Sequence, residues 1–214
     1  MNIKGVMFAF VIALTGCFAL MFSQMVKADI PRAYELIADH YGLPREVFFS
    51  IAMVESGKLE IGKNRDRRFL PWPWTLNIDK KPYYFDTREE AEAALMQALV
   101  KAEKEGRIGK VAVGLGQIYM PAHINQFVSP LQALDPSINL NYAAKLLVEH
   151  YIWTIKRGKP DWWIAVGRYH SPGNENAAKN YRELVYSRCA RVSSRCSSLG
   201  DSVVQQLSML AQGQ

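Results

Sequence analysis

The sequence predicts a mainly α-helical domain with a minor β element, and three observations carry this prediction. Apolar residues recur at helical spacing in several stretches, most of which begin at Pro, Asp or Thr. Between residues 58 and 86 that periodicity stops, and aromatic and β-branched residues flank a polar turn. No internal repeat or low-complexity linker divides the 214-residue chain, so a single domain is expected.

The expected elements follow in order along the chain. Pro, Asp or Thr at a helix start either fixes the first turn or caps it, and Gly42 marks the end of the first helix. The run Arg65-Asp66-Arg67-Arg68 is interpreted as a solvated loop. We predict helices at 31–42 and 44–55, a hairpin of strands 74–78 and 83–85 around the turn 79–82, and helices at 87–105, 139–155, 161–170 and 177–188.

The segment 1–28 has the pattern of a secretory signal peptide. Lys4 precedes a long uncharged apolar stretch, and Val26 and Ala28 occupy the positions that a signal peptidase reads. We therefore expect cleavage before Asp29 and a periplasmic protein.

Two alternatives for this segment stay open. Leu14-Thr15-Gly16-Cys17 fits a lipoprotein processing box, which would make Cys17 a lipidated first residue. The apolar stretch is also close to the lower limit for a membrane span, so it could remain as an inner-membrane anchor. In either alternative, the N-terminal segment would be the only part of the chain expected to contact a membrane.

The formal charge of the chain is mildly positive. It falls from +6 to +4 when the segment 1–28 is removed, because this segment contains Lys4 and Lys27 but no acidic residue. A mildly basic protein suits an anionic cell-wall polymer as its partner, although this charge is common among exported proteins. We expect no nucleic-acid partner.

Two cysteines, Cys189 and Cys196, lie beyond the N-terminal segment. An even count in an exported chain predicts a disulfide, which would stabilise the fold by about 2–3 kcal/mol. A cysteine pair without neighbouring histidines is poor material for a metal site, so we expect no metal and no other cofactor. Both cysteines fall in an expected C-terminal extension, 187–214, which follows the main domain at 29–186.

Glu55 is an unusual residue for the second predicted helix, whose run from Val47 is almost entirely apolar until this point. Projected at about 100° per residue, Glu55 falls between Ile51 and Phe48, inside the apolar stripe. A carboxylate in that position must be paired, held neutral, or placed at the floor of a cleft. Two interpretations follow: a structural carboxylate paired with an arginine, or a proton donor.

Further motifs follow this helix in a fixed order. They are Glu55-Ser56 itself, AVGLGQIYMP at 112–121, DPSINLNYAAKLL at 135–147, VGRYHSPGN at 166–174 and AKNYRELV at 178–185. Together they resemble the lytic transglycosylases with a lysozyme-like catalytic domain, over most of residues 30–186. The inserted Trp-Pro-Trp, hairpin and helix resemble the subgroup encoded with conjugation and type IV secretion systems, so such a machine is a further expected partner.

The resemblance implies a lysozyme-like α+β fold and a specific chemistry. The expected substrate is peptidoglycan, cut at the MurNAc–GlcNAc β-1,4 bond. Glu55 would protonate the glycosidic oxygen, and an apolar setting keeps a carboxyl protonated for such a role. The 6-hydroxyl of the muramic acid would then attack and return its proton to Glu55, which gives a 1,6-anhydro product without a second carboxylate.

The resemblance also implies roles for neighbouring residues. Tyr169 is expected to bond to Glu55 or to the sugar, and Tyr181 to line the site as a further aromatic residue. Gly114 and Gly116 would let the backbone approach the glycan closely. Gln117 would hold the cleft wall or a sugar amide, although both Gln117 and Tyr181 could equally be satisfied buried polar groups.

Three further residues carry open interpretations. Ser56 follows the glutamate as in the family, and it could also be an ordinary polar residue at a helix end. Gly116 replaces the usual Met of the family, which should widen that wall of the cleft. His170 stands where the family has Asn, and it is either a tuner of the pH response or a packed surface histidine.

Two other functions are compatible with the same sequence. A hydrolytic muramidase would need a second carboxylate to hold a water, and Glu60 and Asp66 are the nearest candidates after Glu55. A non-catalytic wall-binding or assembly component would use Glu55 only as a structural residue. The nature of the product and the effect of Glu55→Gln distinguish these three functions.

Overall fold

The computed structural model of the chain describes residues 29–62, 65 and 67–199. The expected signal segment, 1–28, lies outside the described residues, and so do Asp66 and residues 200–214. The two alternatives for that segment, lipidation at Cys17 and a membrane anchor, therefore also fall outside the described residues. Within the described part, no helix is both long and apolar enough to cross a membrane.

Helices make up most of the described chain, which confirms the predicted mainly α class. The six predicted helices are all present, and two short ones accompany them. The helices are α1 (Arg32–Tyr41), α2 (Arg45–Ser56), α3 (Arg88–Lys104), α4 (Met120–His123), α5 (Pro136–Ile155), α6 (Trp162–His170), α7 (Glu175–Val192) and α8 (Arg195–Ser198), with 3-10 turns at Ile124–Gln126 and Pro130–Leu134.

Polar side chains cap the helices at the starts that the sequence predicted. At α3, the Thr87 side chain accepts a hydrogen bond from the Glu90 backbone N–H, and the Glu90 carboxylate accepts one from the Thr87 N–H. At α6, the Asp161 carboxylate accepts from the backbone N–H groups of Trp163 and Ile164. Each cap satisfies N–H groups that have no partner within the helix.

Six short strands form two antiparallel sheets. One is a two-stranded hairpin, and the other has the strand order β4-β3-β5-β6. The strands are β1 (Gly57–Ile61), β2 (Arg67–Pro71), β3 (Thr75–Ile78), β4 (Lys81–Tyr84), β5 (Val111–Val113) and β6 (Ile118–Tyr119).

The predicted hairpin is confirmed as β3 and β4, but its turn is shorter than expected. Asp79 and Lys80 alone make the turn, with φ of 50° and 71°, and Lys81 and Pro82 already belong to β4. Positive φ at both central residues is the geometry that matches the twist of a two-residue hairpin. Pro82 is tolerated because β4 is an edge strand.

The hairpin of β1 and β2 was not predicted. Arg67 and Arg68, expected in a solvated loop, lie in β2 and pair with Ile61 and Glu60 of β1. The two arginines are exposed, and both charged and apolar residues point outward on this hairpin. Polar and apolar residues alternate over only four residues of β1, where the apolar Leu59 and Ile61 are exposed, and they do not alternate in β2.

Two groups of buried apolar side chains form the core. The larger joins α1, α2, α5, α6 and α7, and α2 is its central element, because eight of its twelve residues are buried. The smaller lies between the four-stranded sheet and α3, with Leu76, Leu95 and Val113 at its centre. Phe127 packs against both groups.

The C-terminal part of the described chain is continuous with the helical body. Helix α7 runs through residue 186, where the main domain was expected to end. Cys189 in α7 and Cys196 in α8 form the predicted disulfide, and both are fully buried within the larger core group. The bond therefore fastens α8 to the body of the domain.

Removing this disulfide should destabilise the domain without unfolding it. The double variant Cys189→Ala/Cys196→Ala is expected to lose about 2–3 kcal/mol of unfolding free energy, because the unfolded chain regains the entropy of a short open loop. Urea denaturation followed by circular dichroism measures this change. Wild-type protein in reductant should move toward the variant, and equal stability of oxidised wild type and variant would contradict the prediction.

Candidate active site

A pocket of about 240 Å³ lies where the helical body meets the four-stranded sheet. One wall comes from α2 and α6, and the opposite wall from β3, β5, β6 and the turn before β6. Its lining residues are Glu55, Asn77, Ala112, Gln117, Ile118, Tyr119, His123, Leu146, Tyr169 and His170. Three residues that the sequence singled out for the site, Glu55, Gln117 and Tyr169, are among them.

Glu55 lies in the last turn of α2 and is mostly buried, with 13% of its side chain exposed. The hydroxyl of Tyr181, from α7, donates a hydrogen bond of 2.6 Å to Glu55 Oε1. No described residue hydrogen-bonds the other carboxylate oxygen, Oε2. One oxygen of the carboxylate is thus fixed by the protein, and the second is open to a ligand.

Tyr169 was expected to bond to Glu55 or to the sugar. In the structure Tyr181 makes the hydrogen bond to Glu55, and a contact of Tyr169 with the sugar stays a prediction. The Tyr169 hydroxyl donates to the backbone carbonyl of Gly116, at 2.7 Å. Burial raises the pKa of both tyrosines well above 10.0, and the charge of Glu55 raises them further. Both phenols are therefore neutral hydrogen-bond donors at physiological pH.

His170 lies beside the glutamate, at the end of α6. Its Nδ1 is 3.9 Å from Glu55 Oε1, an ion-pair distance that is longer than a direct hydrogen bond. Its ring stacks almost parallel on Tyr181, with centroids 4.5 Å apart and 6° between the planes. The half-exposed ring packed on Tyr181 fits the packed surface histidine, and the position of His170 in the pocket lining beside Glu55 also fits a tuner of the pH response.

The two glycines of the predicted glycan wall serve the packing of the protein itself. Gly114 has a φ of 75°, and a Cβ there would lie 2.5 Å from the Asn139 side chain. A Cβ on Gly116 would lie 2.6 Å from Ala143 and 2.9 Å from the Tyr169 hydroxyl. Neither glycine lines the pocket, so the cleft is not widened at Gly116 as expected.

Asn139 of α5, which is fully buried, holds this turn in place. Its Oδ1 accepts a 2.7 Å hydrogen bond from the Gly116 N–H, and its Nδ2 donates to the carbonyls of Val113 and Ala133. Sequence analysis did not single out Asn139, although it lies on the same helix face as the buried residues Leu140, Ala143 and Leu147. A polar residue on an apolar helix face is the signal that could have found it.

Gln117 ends the turn and faces the pocket. Its backbone has a φ of 47°, a strained conformation for a residue other than Gly. The side-chain Nε2 donates to the backbone carbonyls of Gly114 and Thr75, at 2.9 and 3.2 Å. Both amide hydrogens thus hold the wall of the cleft, and the side-chain oxygen Oε1 is the atom left to meet a ligand.

Ser56 does not reach the pocket. It is fully buried, and its hydroxyl lies within hydrogen-bond distance of the carbonyls of Ala52 and Leu115, at 2.9 and 3.0 Å. The contact with Leu115 joins the end of α2 to the turn at Gly114–Gln117. Ser56 therefore orients Glu55 relative to the opposite wall, and it is not a substrate contact.

A row of side chains on the sheet completes the pocket, and sequence analysis missed it. Asn77 of β3 pairs with Ala112 of β5, and Ala112 pairs with Tyr119 of β6. Residues directly opposite each other in antiparallel strands project to the same face of a sheet. This row, Asn77-Ala112-Tyr119, therefore forms a continuous part of the sheet wall of the pocket.

Carboxylates are scarce around the pocket. Among the described lining residues Glu55 is the single acidic one. Glu60, expected as a possible partner in a muramidase, lies on β1 and does not line the pocket, and Asp66 is outside the described residues. In the described part of the chain, no group of three His, Cys, Asp or Glu side chains could hold a metal ion.

No protein-family model matches the chain, and no curated protein or solved structure matches it either. A function for this pocket is therefore inferred from its geometry and from the sequence motifs.

Asn139 should contribute more to the stability of the fold than Asn141, a residue nearer the surface of the same helix. Asn139→Leu has nearly the same shape but leaves the Gly116 N–H and the carbonyls of Val113 and Ala133 without their partner, at a cost of about 3 kcal/mol or more. Asn141→Leu, on the same helix, removes one exposed bond to Ser137 and should change stability by less than about 0.5 kcal/mol. Thermal and urea unfolding compare the two, and equal losses would contradict this assignment.

Proposed function

We propose that the protein is a lytic transglycosylase that cuts peptidoglycan at the MurNAc–GlcNAc β-1,4 bond. The observation that carries the proposal is the isolation of Glu55: a mostly buried carboxylate at the floor of a pocket that has no other described acidic residue. Hydrolytic glycosidases use two carboxylates, one as acid and the other as nucleophile or base. A pocket with a single carboxylate suits a reaction in which the substrate supplies its own nucleophile.

In the proposed reaction, the free oxygen of Glu55 carries the proton. Oε2 faces the substrate with its proton, while Oε1 stays hydrogen-bonded to Tyr181. The proton moves to the glycosidic oxygen as the bond from that oxygen to C1 of the muramic acid breaks. The 6-hydroxyl then forms a bond to C1 and returns its proton to Glu55, so the enzyme ends in its starting state.

The glycan strand would lie along the row Asn77-Ala112-Tyr119. The Asn77 amide can donate and accept hydrogen bonds to sugar hydroxyl and acetamido groups, and Tyr119 offers a half-exposed ring to a sugar face. Gln117 Oε1 can accept from a sugar N–H or O–H on the same wall. None of the five tryptophans lines the pocket, and Trp162, for example, stacks on Tyr151 at 3.7 Å.

The exported location, the signal segment and a role in local wall opening during secretion or conjugation belong to the same proposal. They rest on the sequence of residues 1–28 and on the resemblance of the motifs. A periplasmic enzyme of this kind would act on the glycan strands that a secretion or conjugation machine has to cross.

The central experiment is digestion of purified sacculi by wild-type protein and by Glu55→Gln. The amide cannot donate the proton, so the rate of solubilisation should fall by at least about 100-fold. The matched control is Glu60→Gln, on the exposed hairpin, which should keep the wild-type rate. Mass spectrometry of the wild-type products should find 1,6-anhydro ends.

Other outcomes of this digest separate the alternatives. Reducing ends, one water heavier than anhydro ends, would identify a hydrolytic muramidase, and loss of activity in Glu60→Gln would identify its second carboxylate. Full activity in Glu55→Gln would exclude Glu55 as the acid, and no digestion by the wild-type protein would leave a wall-binding role.

Binding of glycan strands should depend on the exposed ring of Tyr119. In a Glu55→Gln background, Tyr119→Ala is expected to weaken binding to sacculi by about 3- to 10-fold, the scale of one aromatic contact. Tyr186→Ala is the control, because Tyr186 is as exposed as Tyr119 (42% and 44%) but lies on α7 beside Trp163. Co-sedimentation with sacculi measures both, and equal weakening would contradict the proposed glycan path.

A further inference from the structure

We propose that His170 is a positioning residue for Glu55, whose imidazolium stabilises the carboxylate that Glu55 becomes once its proton has left. This inference rests on the proposed function, since it assigns a partner to the proposed acid. His170 transfers no proton in the reaction. The proton moves from Glu55 to the glycosidic oxygen and returns from the 6-hydroxyl, and His170 acts only through its charge.

The position of His170 is fixed from two directions. Its ring lies flat against the ring of Tyr181, which itself donates the 2.6 Å hydrogen bond to Glu55 Oε1. The His170 Nδ1 reaches the same oxygen from the side, at 3.9 Å. The neutral phenol and the titratable imidazole therefore converge on one oxygen, and both favour a negative charge there.

The carboxylate of Glu55 affects the pKa of His170. The Glu55 carboxylate raises the pKa of His170 above its ordinary value of 6.5 and outweighs partial burial, which lowers it. Whenever Glu55 is a carboxylate, the ion pair is therefore formed below the raised pKa of His170 and is lost as the pH rises through that pKa.

The other titratable groups around this pair come from four elements. Tyr181 of α7 and Tyr169 of α6 stay neutral because burial raises the pKa of each well above 10.0. His123 of α4 stays neutral at pH 7 because burial lowers its pKa. Tyr119 of β6 completes the titratable lining of the pocket. The charge that favours the Glu55 carboxylate is therefore that of His170.

The electrostatic coupling between Glu55 and His170 can be measured without any catalytic assay. Nitrogen-15 NMR of the histidine rings gives the titration midpoint of His170 in wild-type protein and in Glu55→Gln. The midpoint should move to lower pH in Glu55→Gln, because the carboxylate that stabilises the imidazolium is gone. His40, exposed on α1, is the internal control and should keep its midpoint. The same His170 midpoint in both proteins would overturn the inference.

The catalytic consequence is tested by the pH profile of sacculus digestion. His170→Asn should lower the maximal rate by about 2- to 5-fold, the scale of a partly exposed ion pair. It should also move the alkaline limb to higher pH, since the cation that favours the carboxylate is missing. His40→Asn, the matched control, should keep the wild-type maximal rate and the wild-type pH profile. A lower rate with an unchanged profile would reduce His170 to a packing role.

The two proposals fail in different ways. If wild-type protein leaves sacculi intact, the proposed function fails, while the NMR titration still decides whether Glu55 and His170 are coupled. If digestion yields anhydro products but the NMR midpoint and the pH profile do not respond to the substitutions, the proposed function stands and the role of His170 is rejected.

Discussion

The buried amide of Asn139 is the constraint on which the site depends. The chain brings a helix, α5, against a turn whose backbone groups would otherwise be buried without partners. One side chain supplies an acceptor to Gly116 and donors to Val113 and Ala133. Because an unsatisfied buried backbone group costs about 1–3 kcal/mol, this turn has few alternatives to its observed conformation.

Contacts with this turn set the positions of Tyr169 and Glu55. The carbonyl of Gly116 points at the hydroxyl of Tyr169, and this hydrogen bond fixes α6 against the turn. On the other side, Ser56 joins the end of α2 to Leu115. The wall that carries Gln117 and the helix that carries Glu55 are therefore held at a set separation by hydrogen bonds from side chains to the backbone of the turn.

Local signals in the sequence were sufficient for the helices and for the position of Glu55. Caps such as Thr87 and Asp161 act over three residues, so they can be recognised without any knowledge of tertiary structure. The helical projection likewise placed Glu55 on the apolar side of α2, where its side chain is mostly buried. The disulfide followed from an even cysteine count in a chain that was expected to be exported.

The assignments that failed depend on how elements pack against one another. Tyr169 and Tyr181 were both expected near the site, but which of them reaches Glu55 depends on the packing of α6 and α7. The role of Gly116 was likewise misjudged, because its neighbours Ala143 and Tyr169 are distant in the sequence. The hairpin β1–β2 was missed because the alternation in β1 is short and leaves its apolar residues exposed, and β2 has no alternation.

The surroundings of Glu55 combine opposing electrostatic influences, and this opposition suits the proposed reaction, in which Glu55 both gives and takes a proton. The last turn of a helix carries partial negative charge on its free carbonyls, which disfavours a carboxylate in that turn. Tyr181 and His170, which both approach Oε1, favour the carboxylate. A glutamate that felt only the helix carbonyls would be a poor proton acceptor. A glutamate that felt only Tyr181 and His170 would be a poor proton donor. Placing Glu55 at the end of α2, rather than in its middle, lets both influences act on one side chain.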